Sequence, residues 1–297
     1  MLDLHRLLNY IINHLQNLNT MKRALIISLL MCLIGVSYAQ PPGFRFQKND
    51  PKIYTLRVDN VTMEIDANNG ARITSLKYDT TEVLSQINFP NMYGSTFWTS
   101  PQKEWNWPPV QEHDMAPYEV SENQGVITMT SPLSAKIPLR IQKRFEVDKK
   151  DKSIVVTYTL INESDQERKV APWEITRVLA HGTVYFDADV DAITPAGLMN
   201  FVKKDGLATY DIDHVERQNR KINADGKGWL AFKSNGLVLK KVFPDLKPSD
   251  PAPDEAEIQV YVNQGDTYVE LESQGAYTTL KPGKKLDWTV RWYLTKE

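Results

Sequence analysis

From residue 54 to residue 294 the apolar positions come in short alternating runs divided by turn residues, and no long segment holds a 3.6-residue period. That pattern predicts an all-β chain. Residues 54–65 read as a pair of strands broken at Asp59-Asn60, Ala67-Asn-Asn-Gly70 as a hairpin turn, and 71–78 as the next strand. Residues 125–131, 137–147 and 153–162 continue the series, with a turn at 148–151; Ile154, Val156, Tyr158 and Leu160 fall on one face. Further strands are predicted over 173–179, 182–186, 228–234, 236–243, 258–263, 267–273 and 287–294. About a dozen strands exceed the seven to nine of an immunoglobulin-type domain, so the expectation is one large two-sheet sandwich over 54–297. Residues 40–53 read as a lead-in, and the proline- and acid-rich stretch 247–255 as an exposed excursion.

The N-terminus breaks this pattern. Met21-Lys22-Arg23, an apolar run through Val36, and Ser37-Tyr38-Ala39 before Gln40 have the layout of a secretory signal peptide. Met21 is then the expected start, with residues 1–20 upstream of it. The run is shorter than the roughly 20 residues of a membrane span and none follows it, so no integral span is expected in the mature chain. The expected location is periplasmic or secreted. Cys32 is the sole cysteine and lies in the leader, behind Met31 rather than the small residue of a lipobox. The mature chain therefore has no thiol chemistry, cysteine-bound zinc or iron–sulfur cluster.

Composition removes other classes. With 41% hydrophobic and 24% charged residues, the chain is neither collagen-like, coiled coil nor disordered. Lys and Arg number 35 against 37 Asp and Glu, a net charge of −2 without a basic stripe, which argues against a nucleic-acid partner. No nucleophile elbow, P-loop, dinucleotide fingerprint or His-Glu-x-x-His is present.

The densest chemistry is Phe97-Trp98-Thr99-Ser100-Pro101-Gln102-Lys103-Glu104-Trp105-Asn106-Trp107-Pro108-Pro109. The prolines predict an ordered loop. Indole faces suit the C–H faces of a sugar ring, while Gln and Glu suit its hydroxyls, which makes Trp98, Gln102, Trp105 and Trp107 candidate sugar contacts. The other reading is that these tryptophans plug one end of the sandwich. In residues 268–275, Tyr268, Glu270 and Glu272 share a strand face, the glutamates roughly 7 Å apart along the backbone. Either they serve acid–base chemistry or they face water. Glu174, in the apolar strand Trp173-Glu174-Ile175-Thr176-Arg177, must be paired or functional, with Arg72 as a candidate partner or sugar ligand. His113 and Arg177 complete the candidate binding set. Asp187-Ala-Asp189-Val-Asp191 begins like a calcium loop, but Ala192 and Leu198 break the EF-hand pattern, so calcium is unsupported and no cofactor is required.

Gly70-Ala-Arg-Ile-Thr-Ser-Leu76, the Trp-Pro box and Ala171-Pro-Trp-Glu-Ile-Thr-Arg177 together resemble the DUF4380 family of bacterial proteins, itself similar to the galactose mutarotase (aldose 1-epimerase) superfamily. The resemblance spans roughly 54–294. It implies a β-supersandwich of two large antiparallel sheets with a sugar site on one face. It also implies a late glutamate as base, at Glu272 or Glu270. The histidine strand of the mutarotases is replaced here by Trp173-Glu174-Ile175, so the acid would be Glu174 or His181. The function expected is an exported binder of a mono- or oligosaccharide, with a sugar epimerase as the alternative and a polysaccharide lyase or glycoside hydrolase third.

Overall fold

A computed structural model describes residues 44–46, 52–87, 92–212, 218–265 and 267–297. The expected leader with Cys32, most of the lead-in, and His214 lie outside the described residues. The chain first lays down β1 (Phe44–Phe46), β2 (Ile53–Val58), β3 (Val61–Asp66), β4 (Arg72–Tyr78), β5 (Thr81–Glu82) and β6 (Ser95–Ser100) in one sheet. A short helix, α1 (Gln111–Asp114), leads to β7 (Glu119–Asn123), β8 (Val126–Thr130), β9 (Leu139–Asp148) and β10 (Ser153–Asn162) in a second sheet. β11 (Arg168–Val178) returns to the first sheet, and β12 (Thr183–Phe186), β13 (Val202–Lys204) and β14 (Leu207–Asp211) to the second. β15 (Arg220–Ala224), β18 (Ile258–Val262), β19 (Val269–Gln274) and β20 (Thr278–Leu280) complete the first sheet. β16 (Trp229–Ser234), β17 (Leu237–Val242) and β21 (Lys285–Lys296) complete the second.

Among the described residues the first sheet has 11 strands, running β1-β2-β3-β4-β6-β11-β19-β18-β15 with β5 and β20 as side partners. The second has 10, in the order β13-β14-β12-β16-β17-β21-β10-β9-β8-β7. Every named pairing is antiparallel. The expected two-sheet all-β architecture is what the chain adopts. The alternation read along 154–160 is realised, Ile154, Val156, Tyr158 and Leu160 all being buried. Phe97 of β6 stacks on Tyr158 of β10, ring centroids 4.5 Å apart, so the two sheets meet face to face around an apolar core.

Three expectations need correction. The first half of the Trp-Pro box is not a loop, because Ser95–Ser100 is the buried central strand β6, and the prolines act only from Pro101 onward. β11 begins earlier than residue 173 and carries Pro172 inside a central strand. The proline is tolerated because it falls where β11 changes partner, from β20 opposite residues 168–170 to β19 opposite 173–178. β7 was not expected, nor were β13, β14, β15 and β20; in β7 the exposed, polar residues show no buried alternation.

Gly70 sits at the point where α1 docks. Its φ is +66°, and a Cβ there would lie 2.2 Å from the Asp114 carbonyl oxygen. The Gly70 carbonyl in turn accepts from the buried Lys143 ammonium at 2.7 Å. Gly70→Ala should therefore lower stability by about 2–3 kcal/mol through combined backbone strain and overlap. A shift in the urea midpoint at unchanged m-value checks this.

Candidate functional site

β11 and β19 run side by side in the middle of the first sheet, and alternation sorts their residues onto two faces. Glu174, Thr176 and Ser273 turn toward the second sheet. There the Lys241 ammonium of β17 sits 2.6 Å from Glu174 Oε2, and also donates to Thr176 Oγ1 at 3.0 Å and to the Leu271 carbonyl at 2.8 Å. Ser95 Oγ donates to Glu174 Oε1 at 2.9 Å, and Thr176 Oγ1 donates to the same oxygen. Glu174 and Lys241 are fully buried. Glu174 is thus a paired core residue that does not reach the outer face, and its partner is Lys241 rather than Arg72.

The opposite, outer face carries a cleft of about 720 Å³, within the range of small-molecule sites. One wall is tryptophan. Trp98 of β6 stands edge-on to Trp173 of β11 (5.5 Å, 77°) and to Trp107 (6.2 Å, 80°). Tyr261, Tyr268, Ile87 and Met92 add apolar surface, while Gln102, Asn263, Lys221 and Glu270 supply polar groups. Arg177 lies beneath, its guanidinium carbon 5.5 Å from the Trp98 ring and 5.6 Å from the Tyr268 ring. Its Nη2 is 2.9 Å from Glu270 Oε1. Glu272 is also covered. Its Oε2 accepts from Trp173 Nε1 at 2.7 Å and from Lys221 Nζ at 2.9 Å, while its Oε1 is buried without a hydrogen-bond partner.

Burial pushes the Glu270 carboxyl up, the Arg177 charge pulls it down and the negative Glu272 pushes it up again, leaving it at about 7. Near neutral pH this cleft-lining group is therefore able both to give and to take a proton.

The cleft wall depends on a residue that sequence reading missed. Asp114 is buried and accepts from Trp98 Nε1 at 2.8 Å, Thr96 Oγ1 at 2.6 Å and Arg72 Nη2 at 3.1 Å. Burial alone would raise its carboxyl, but Arg72 and the two neutral donors outweigh that and hold it below the ordinary carboxylate range. Its place on α1, away from any strand, left no periodic signal.

Of the sequence candidates, the structure brings Trp98, Gln102, Trp107 and Glu270 to the cleft, with Arg177 and Glu272 directly behind them. Five candidates lie elsewhere. Trp105 is buried, its indole donating to the Thr99 carbonyl at 2.8 Å, so for it the packing reading holds. Arg72 is buried against Asp114. His113 is buried with Nε2 2.9 Å from the Leu139 carbonyl oxygen. His181 is exposed on the turn after β11, 3.4 Å from Asn235 Oδ1 in the β16–β17 turn of the other sheet. Glu174 is the fifth. Lys221, Tyr261 and Asn263 were missed; Tyr261 alone had a signal, as a large aromatic in an alternating strand. Asp189 caps its own short turn by accepting from the Asp191 amide. Among the described residues no three acidic, His or Cys side chains cluster to hold a metal, and no helix is long and apolar enough to cross a membrane.

No family model and no curated protein matches the chain. Solved structures do match. A galactose mutarotase-like protein from Clostridium acetobutylicum superposes with a TM-score of 0.57 at 10% identity, over 86% of this chain and 98% of its own. A galactose mutarotase-like protein from Lactobacillus casei gives 0.56 at 13%, over 82% and 100%. The fold is galactose mutarotase-like. A TPR-domain containing protein from Parabacteroides distasonis shares the fold over 47% of its length, with a TM-score of 0.59 and 14% identity, covering 82% of this chain. At such identities the likeness is one of fold, and the narrower DUF4380 resemblance rests on its sequence motifs alone.

Two predictions follow from the charges. Glu174→Ala should cost about 3–5 kcal/mol by leaving Lys241 buried and unpaired, read as a lowered urea midpoint. At Glu270 the folded state keeps a proton that the unfolded chain releases from its ordinary value of 4.5 upward. Its contribution to stability is therefore full below that value and is lost as pH rises to about 7. Unfolding measured from pH 4 to 8 should show this slope in the native protein and a flatter one in Glu270→Gln.

Proposed function

We propose that this is an exported carbohydrate-binding protein whose sugar site is the tryptophan-walled cleft on the outer face of the first sheet. The observation that carries the reading is the pairing of flat aromatic surface with a few convergent hydrogen-bonding groups. Trp107, which is 55% exposed, and the rings behind it offer faces for sugar C–H groups. Gln102, Asn263, Lys221 and Glu270 are placed to meet hydroxyls. Two of the three motifs of the DUF4380 resemblance, the Trp-Pro box and residues 171–177, contribute to this wall, and the galactose mutarotase-like names of the fold neighbours point the same way. Export rests on the leader read at residues 21–39.

A second reading, sugar epimerisation, is favoured by one observation: Glu270 lines the cleft with its carboxyl at about 7. In this reading Glu270 is the proton-transfer group, since Glu272 lies behind the cleft and neither Glu174 nor His181 belongs to this face.

The test is tryptophan fluorescence against monosaccharides, uronic acids and oligosaccharides. A saturable change should appear with at least one sugar and be lost in Trp107→Ala at unchanged thermal midpoint. Trp105→Ala should instead act on the core, lowering stability by about 3–5 kcal/mol. Silence toward every sugar overturns the binding reading. Polarimetry on the bound sugar decides the second: faster anomer exchange that disappears in Glu270→Gln supports it, and an unchanged rate with native protein rejects it.

A further inference from the structure

The cleft-facing residues are not grouped at one point. Lys221 of β15 is directly opposite Tyr261 of β18, Tyr261 opposite Glu270 of β19, and Glu270 opposite Arg177 of β11. Four residues back along β11, two positions on the same face, Trp173 is opposite Trp98 of β6. Directly opposed residues in antiparallel strands project from the same face, so these side chains form a band crossing five adjacent strands, β6-β11-β19-β18-β15. At about 4.8 Å per strand the four steps set the outermost backbones, β6 and β15, roughly 19 Å apart, wider than a single pyranose ring.

Exposure along the band is uneven in an informative way. Trp98, Trp173 and Tyr268, toward the middle, are buried. Arg177 lies behind Trp98 and Tyr268, and the Lys221 ammonium is 4.6 Å from the Trp173 ring centre. The rings that keep exposed surface are Trp107, beyond Trp98 at one end, and Tyr261 toward the other. Three strand steps set the backbones of β6, which carries Trp98, and β18, which carries Tyr261, roughly 14 Å apart, and Trp107 packs against Trp98. Hydrogen-bonding groups without charge accompany each end, Gln102 near Trp107 and Asn263 and Thr267 near Tyr261, while Glu270 lies between them. Ile87, 43% exposed, adds a further apolar group at the rim. Two open aromatic platforms carried by separate elements of one cleft of about 720 Å³, each with neutral polar companions, fit a chain of sugars laid across the strands.

We propose that the cleft takes an extended glycan segment of several residues rather than a free monosaccharide. This rests on the carbohydrate reading above and adds the length and direction of the ligand. Trp107 and Tyr261 hold its outer residues, and the carboxyl of Glu270 meets an inner one.

The experiment is titration of the intact protein with four series, cello-, xylo-, malto- and galacturono-oligosaccharides of one to six units, followed by calorimetry and by tryptophan fluorescence. In a series that binds, affinity should climb through at least three units before levelling. Trp107→Ala and Tyr261→Ala should each weaken binding of the longest member about three- to tenfold. Each should also shorten the length at which affinity levels, with thermal midpoints confirming that both variants fold. A series whose monosaccharide binds as tightly as its longer members overturns the extended-ligand inference and leaves the sugar site standing. Failure of all four series by both methods overturns this inference and the carbohydrate reading together.

Discussion

A carboxylate removed from water must be compensated, and around the first sheet a cation does this four times. Glu174 has Lys241, Asp114 has Arg72, Glu270 has Arg177 and Glu272 has Lys221. Each pair joins elements distant in the chain, so satisfying the charges fixes long-range geometry. Glu174–Lys241 ties the two sheets. Asp114–Arg72 ties α1 to β4 and, through the Trp98 indole, holds the cleft wall upright. The other two pairs line or underlie the cleft, where aromatic faces lie over the cations.

The same sheet serves two surfaces at once. On β11 the odd positions Trp173 and Arg177 build the cleft and the even positions Glu174 and Thr176 build the inter-sheet core. β19 divides in the same manner, with Glu270 and Glu272 outward and Leu271 and Ser273 inward. A shift of register by one residue would exchange the two sets and strand four charges. Gly275, where a Cβ would come within 3.0 Å of Pro172, allows β19 and β11 to part company where β20 takes over.

What sequence could reveal followed from periodicity. The period of two along 153–162 and 268–273 was visible, and with it the fold class and the shared face of Glu270 and Glu272. It could not say whether that face met water, because an acid facing solvent and an acid facing a buried arginine look the same in one dimension. Glu174 was legible as a residue needing a partner, but the partner lies 67 positions away on the other sheet. The tryptophan box was legible as a cluster, yet its members separate on folding: Trp98, on β6, goes to the wall, while of the two beyond that strand Trp105 enters the core and Trp107 stands at the rim. Asp114 had no signal because it lies on a short helix outside any repeating pattern, and Lys221 had none because β15 is only five residues long and opens on two cations.

The band across five strands has a consequence for how the molecule acquires its site. Its side chains come from β6, β11, β15, β18 and β19, joined in space but interleaved along the chain with strands of the other sheet. The shortest contiguous fragment that holds the band runs from β6 to β19 and carries nine of the second sheet's ten described strands with it, so its ring and charge contacts need strands far apart in the chain to pair. Any molecule that grips both ends of the band clamps those strands together, so occupancy and completion of the fold become one linked equilibrium.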